Sequence, residues 1–114
     1  MKSSKIKEAK TTYNVHDLIR KRWSARSFSE KEISQDDLNT MLEAASWAFS
    51  AMNYQPWIYY YVHKSDEENF NKIADCLLPG NKSWAKEAPA LIVSVAKKKY
   101  NDGSPNRTVM HDVG

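Results

Sequence analysis

The segment Arg22-Trp-Ser-Ala-Arg26 places two guanidinium groups and a hydroxyl within five residues. In an extended chain every second side chain points the same way, so Arg22, Ser24 and Arg26 would converge on one spot. Their donors suit the oxygens of a terminal phosphate monoester, since a guanidinium offers a planar fork of N–H groups and a hydroxyl adds one more. Taken alone, the plainer reading has the advantage: an exposed basic loop with Ser24 facing water, because short basic motifs recur by chance.

A second group of polar side chains lies in Ser50-Ala-Met-Asn-Tyr-Gln-Pro-Trp57. Pro56 biases the residue before it towards extended geometry, so Asn53 and Gln55 are expected on one side of the chain. Carboxamides carry both donors and acceptors, which matches the mixed edge of a flavin's pyrimidine ring, and Ser50 contributes a further hydroxyl. By itself this stretch reads as well as a helix-to-strand connection, with Asn53 in a turn and Trp57 buried.

The elements that must position these groups follow from capping and periodicity. Asn14-Val-His-Asp17 is an N-cap candidate, followed by Val15, Leu18 and Ile19 as one apolar face, and that helix should stop near Arg22. Ser34 caps the next helix, with Asp36 and Asp37 in its first turn and Ile33 and Leu38 spaced as a hydrophobic staple. Leu38, Met41, Leu42 and Ala45 keep the spacing of a buried face. Trp57-Ile-Tyr-Tyr-Tyr-Val62 reads as a strand. Ser65-Asp-Glu-Glu68 opens a helix with Phe70, Ile73, Ala74 and Leu77 inside, stopped at Pro79-Gly80. The apolar run Ala90–Ala96 is expected to be an interior strand. After the polar turn Lys97–Gly103, Ser104-Pro105 reads as the start of a last helix.

Composition sets the outer bounds. The 114 residues, 41% hydrophobic and 27% charged, predict one globular domain, with residues 1–12 as a flexible N-terminal arm and 13–114 as the folded part. A net charge of +3 is too small to argue for nucleic acid or an anionic membrane surface. The longest apolar runs are far too short to span a bilayer, and residues 1–10 lack the apolar core of a signal peptide. A single cysteine, Cys76, excludes an internal disulfide and is expected to pack beside the inner face of its helix. His16, His63 and His111 have no metal-ligand spacing. The expected location is cytoplasmic, with no nucleic-acid, membrane or metal partner. Helices alternating with strands indicate α/β or α+β, and two strands alone make a poor sheet.

In combination the two polar segments are more specific than either alone. An Arg-x-Ser-x-Arg-x-Phe stretch, an acid-capped helix and then Ser-x-x-Asn-x-Gln-Pro-Trp, in that order, resembles the nitroreductase family. Gly80-Asn-Lys-Ser-Trp84 ahead of Ala88-Pro89 and a strand adds to the likeness, and Asp112-Val-Gly114 looks like the beginning of that family's long central helix. The resemblance covers residues 14–114.

That resemblance implies an α+β fold of the nitroreductase-like α/β/α sandwich type, with only the N-terminal part present. It implies an FMN-dependent reductase that takes electrons from NAD(P)H and passes them to a nitroaromatic, quinone or similar acceptor. It also implies a homodimer with flavin at the subunit interface. Carried onto this chain, Arg22, Trp23, Ser24 and Arg26 would hold the ribityl phosphate region. Ser50, Asn53 and Gln55 would contact flavin from the partner subunit or line its pocket, and Asn81 would lie near the isoalloxazine ring. No catalytic acid, base or nucleophile is nominated, because the chemistry belongs to the cofactor. The competing expectation is a non-catalytic flavin-binding or dimerisation fragment of such a protein. Family members are longer than this chain, and the bulky Trp23 and Trp84 would bear on which substrate fits.

Overall fold

In the computed structural model, which describes residues 7–114, two seven-residue strands form the centre of the architecture. β1 (Trp57–His63) pairs antiparallel with β2 (Ala90–Ala96), Trp57 facing Ala96 and His63 facing Ala90. Backbone bonds Lys64 N–H to Pro89 O and Lys97 N–H to Pro56 O, both 2.8 Å, extend the ladder at each end. Ahead of β1 lie α1 (Asp17–Lys21), α2 (Gln35–Ser46) and a 3-10 turn at Ala51–Asn53. α3 (Glu67–Asp75) and α4 (Pro79–Ala85) connect the strands, and α5 (Val109–Val113) follows β2. The arrangement is α+β, as the alternation of elements implies.

Local chemistry explains most of the boundaries. Ser34 Oγ accepts from Asp37 N–H at 3.0 Å, so α2 starts at the cap its sequence announces. α1 ends at Arg22, as expected, but its cap is His16, whose Nδ1 accepts from Leu18 N–H at 3.2 Å, rather than Asn14. For α3 the cap is Asp66 rather than Ser65, accepting from Asn69 N–H at 3.3 Å. Both shifts move the cap to a side chain that can reach an orphan N–H while its own backbone stays non-helical.

Pro79-Gly80 does not merely stop a helix. α3 ends at Asp75, and Pro79 opens α4 from its first position, where proline lacks only an N–H that would go unpaired anyway. The last helix begins at Val109 with Thr108 as its N-cap, not at Ser104-Pro105. Residues 98–106 instead double back: Lys99 bridges to Pro105, Tyr100 N–H donates to Ser104 O at 2.9 Å, and Gly103 takes φ = 84° at the reversal.

The core is small. Leu38, Val62, Phe70, Ala74, Ala85, Ala88 and Val109 are buried, with α3 packed on both strands, α4 on α3 and α5 on β2. Several expected core positions are not in it. Leu18 and Ile19 of α1 are 78% and 69% exposed, and Met41 lies on the surface of α2. β2 is no interior strand, since Ile92, Val93 and Val95 are all exposed. Each strand has one unpaired edge, and no third strand or further helix covers these side chains among the described residues. The radius of gyration, 17.0 Å, exceeds the roughly 13 Å of a compact domain of this size. Cys76 is exposed as well, its Sγ donating to Lys72 O at 3.3 Å. No described helix is long and apolar enough to cross a membrane.

Candidate cofactor site

The Arg22–Arg26 segment leaves α1 in extended geometry at Arg22 and runs without regular structure to a bend at Arg26. Arg22, Ser24 and Arg26 are all exposed, and among the described residues none of their side chains has a hydrogen-bond or ion-pair partner. The roughly ten guanidinium N–H donors of Arg22 and Arg26 therefore lack an acceptor among the described residues, a donor set suited in chemistry to phosphate oxygens. The segment is braced by aromatic contacts. Arg26 lies over the Trp84 ring at 5.9 Å from guanidinium carbon to centroid, and Phe28 stacks on the same indole at 6.3 Å. Trp23 is partly exposed, with Lys7 Nζ 5.6 Å above its ring.

Trp84 and Asn81 both belong to α4, so the helix that fixes Arg26 also carries the third nominated element. Asn81 is exposed near the start of α4, on a turn begun by Pro79. Trp84 acts as a brace for Arg26 that sequence spacing does not reveal, because the two are 58 positions apart and meet only through the packing of α4.

The second group sits on a bend of unusual backbone. Met52, Asn53 and Gln55 take φ of 54°, 52° and 50°. Non-glycine residues seldom enter this left-handed region, and each instance costs about 1–3 kcal/mol where nothing compensates. The extended Gln55 expected from Pro56 is thus not what forms. The positive φ at Gln55 lets its N–H donate to Ser50 Oγ at 2.8 Å and its side-chain Nε2 to Ser46 O at 3.2 Å. Those local bonds outweigh the steric preference of a residue before proline. Asn53 N–H donates to Ser50 O at 2.9 Å and Tyr54 N–H to Ala51 O at 3.1 Å, closing the turn.

The bend leaves polar atoms pointing outward. Asn53 is exposed with no side-chain partner among the described residues, Gln55 keeps its carbonyl oxygen, and Ser50 still has its hydroxyl proton to give. A groove of ≈ 360 Å³ opens beside it, lined by Phe49, Ser50, Ala51, Thr108, His111 and Asp112. Among the described residues, no hydrogen bond, ion pair or ring contact joins this bend to the Arg22–Arg26 segment. The structure therefore associates Arg26 with the helix of Asn81, and Ser50 with Asn53 and Gln55, with no direct bond between the two groups among the described residues.

Comparison with known proteins decides the family. The sequence profile of the Nitroreductase family matches residues 19–107. The chain belongs to the nitroreductase family. That match spans all eight nominated side chains, from Arg22 to Asn81. A curated nitroreductase relative from Archaeoglobus fulgidus, which carries the provisional name NADH dehydrogenase/NAD(P)H nitroreductase, is 35% identical over 84 residues, covering 74% of this chain and 46% of its own. A solved structure described as an oxidoreductase containing FMN superposes with a TM-score of 0.83 at 36% identity, covering 92% of this chain and 55% of that one. The chain spans about half the length of the relatives it matches, and its fold is part of a nitroreductase-like fold. The uncovered apolar side chains of β2 belong to a sheet with two strands among the described residues.

Proposed function

We propose that this nitroreductase-family chain supplies part of the site of an FMN-dependent NAD(P)H oxidoreductase acting on nitroaromatic, quinone or similar acceptors. The observation that carries the reading is the likeness, over 92% of the chain, to an oxidoreductase containing FMN. The residues present fit that cofactor in chemistry. Arg22, Ser24 and Arg26 offer donors for a terminal phosphate that have no partner among the described residues, with Trp23 flanking them. Ser50, Asn53 and Gln55 offer a mixed set of donors and acceptors for the pyrimidine edge, and Asn81 would lie towards the ring system.

FMN, when bound, would accept an electron pair from NAD(P)H and deliver it to the acceptor, so the protein's part is placement and electrostatics. The arginines would neutralise the phosphate dianion and fix the cofactor's tail. The left-handed bend would hold its carboxamides at a set angle to the ring without a reorganisation cost on binding. No side chain of this chain is assigned a covalent or proton-transfer role.

A homodimer belongs to the same proposal. Since no direct bond joins the two polar groups within one chain among the described residues, a second copy would bring its Ser50–Gln55 bend to the first copy's arginines. The exposure of Trp47 (81%), Phe49 (96%) and Met52 (82%) beside the bend supports such a contact. A second reading, a flavin-binding or dimerisation unit without turnover, draws on the open two-stranded sheet.

An absorbance spectrum of the purified protein, followed by chromatography of the denatured supernatant, tests the proposal. The expected result is a yellow protein that releases FMN. Recovery of FAD, or a colourless protein that ignores added FMN, would overturn it. Bound FMN that NAD(P)H fails to bleach would select the second reading.

A further inference from the structure

We infer that Asp112 is a positioning residue that holds the Ser50–Gln55 bend in its left-handed shape. The inference rests on the proposed role of that bend in flavin binding, and it starts from a hydrogen bond that is missing locally. Ser50 is the N-cap of the 3-10 turn, and a cap serine ordinarily uses its hydroxyl to satisfy the first free N–H groups of its own turn. Here it makes no such bond. Its oxygen instead accepts from Gln55 N–H at 2.8 Å, across the far side of the bend.

Ala51 N–H, at the first position of the turn, has no acceptor within the turn, and the carboxylate of Asp112, 61 positions away, takes it. Both carboxylate oxygens lie 3.3 Å from the nitrogen, a shared, long bond in a half-buried setting. A carboxylate that accepts a backbone N–H makes a charge-assisted hydrogen bond.

Asp112 is itself fixed from behind. Thr108 Oγ1 lies 3.0 Å from Asp112 Oδ2 and 3.0 Å from Asn106 Oδ1, so its one hydroxyl proton serves the two acceptors in turn. Asn106 is 4% exposed, and its Oδ1 also accepts Thr108 N–H at 3.1 Å. Its backbone N–H donates to Lys98 O at 2.9 Å. Asn106, whose backbone is tied to Lys98 just beyond β2 and whose side chain is buried, thus orients Thr108, Thr108 orients Asp112, and Asp112 accepts from the turn that carries Asn53. Val109, 6% exposed, seats α5 so that this line stays in register.

The arrangement explains how three residues at positive φ persist in one bend. The bonds of Asn53, Tyr54 and Gln55 back to Ser46, Ser50 and Ala51 close it from within, and the carboxylate from α5 holds its leading N–H from outside. With Asp112 removed, Ala51 N–H loses its acceptor and the bend can relax towards ordinary φ, which moves Asn53 and Gln55.

Amide hydrogen exchange and FMN titration of the same chain separate this role from a general structural one. Asp112→Ala is expected to speed exchange at Ala51, Asn53 and Gln55 by roughly three- to tenfold, below the usual effect of a bond to a charged group because this one is long and shared between two oxygens. The amides of β1 and β2 should be unchanged, and FMN affinity should fall by a similar factor. Asp112→Asn, which keeps one acceptor oxygen, should restore most of both. Asp102→Ala, which removes a carboxylate bonded only within its own loop to Ser104, should affect neither. Acceleration confined to Ala51, acceleration spread evenly through both strands, or unchanged FMN affinity would overturn the inference. If the unmodified protein ignores FMN while the exchange contrast appears, the flavin reading fails and the anchoring of the bend stands.

Discussion

Arg26→Ala is the perturbation that bears most directly on the proposed phosphate site. In the structure the guanidinium is exposed, has no carboxylate partner among the described residues, and rests over Trp84 at 5.9 Å. An exposed cation–π contact of this kind contributes about 0.5–1 kcal/mol, so the substitution should cost the fold no more than that. Its effect on FMN should be larger. A hydrogen bond to a charged group contributes about 1.5–3 kcal/mol, which corresponds to about a 10- to 150-fold rise in Kd. Arg26→Lys keeps the charge but loses the planar fork and should recover only part of the affinity. Lys97→Ala removes one positive charge from an exposed position outside the site and should change Kd by less than about twofold. Flavin fluorescence titration at fixed ionic strength, with a thermal melt of each variant, reads all four proteins. Equal losses from Arg26→Ala and Lys97→Ala would show that only overall charge matters. Loss of the folding transition in Arg26→Ala would show that the arginine is structural. Either result refutes the assignment.

Three further outcomes test the fold that presents the site. Leu38→Ala should cost about 2–5 kcal/mol in chemical denaturation because Leu38 is fully buried, whereas Met41→Ala, 47% exposed on the same helix, should cost under about 1 kcal/mol; equal costs would contradict the observed orientation of α2. Met52→Gly should leave stability unchanged or raise it, since glycine relieves the strain at φ = 54°, while Ala44→Gly within α2 should lose about 1 kcal/mol; a comparable loss from both would mean that Met52 is not held in the left-handed region. Asp17 bonds Arg20 at 2.6 Å and Lys21 at 2.5 Å, and these partners, Arg20 first, lower its carboxyl from 3.8 to about 2. A depressed folded-state value means that the stabilisation is fully present above about pH 4 and is lost as pH falls through about 2. A carboxyl-carbon titration by NMR should show that midpoint, and a midpoint near 4 would show the pairs to be absent in solution.

The local elements were legible because their determinants are local. Ser34 with Asp37, the aromatic run of β1 and the apolar run of β2 each carry their signal within a few residues, and all three form where the sequence places them. The order of the two polar segments likewise sufficed to indicate the family that the profile match establishes. Near-misses came where neighbouring groups compete for one role. His16 prevailed over Asn14 and Asp66 over Ser65 as caps, and Pro79 opened a helix where it was expected only to end one. In each case several adjacent side chains could bond the same orphan N–H groups, and fine geometry decided between them.

What the sequence could not supply was anything that depends on residues far apart in the chain. Periodicity placed Leu18, Ile19 and Met41 on apolar faces, but a face is buried only if another element covers it, and none does among the described residues. The pre-proline rule pointed Gln55 to extended geometry, and the bonds to Ser46 and Ser50 reversed it. Trp84 beneath Arg26 and Asp112 against Ala51 join positions 58 and 61 residues apart, with no spacing signal linking either pair. Residue types thus determined which side chains carry donors and acceptors suited to a phosphate and a flavin edge, since hydrogen-bonding capacity belongs to the side chain itself. Only the packing of α4 and α5 decided how those groups are held, because an angle in space between distant segments is a property of the tertiary structure.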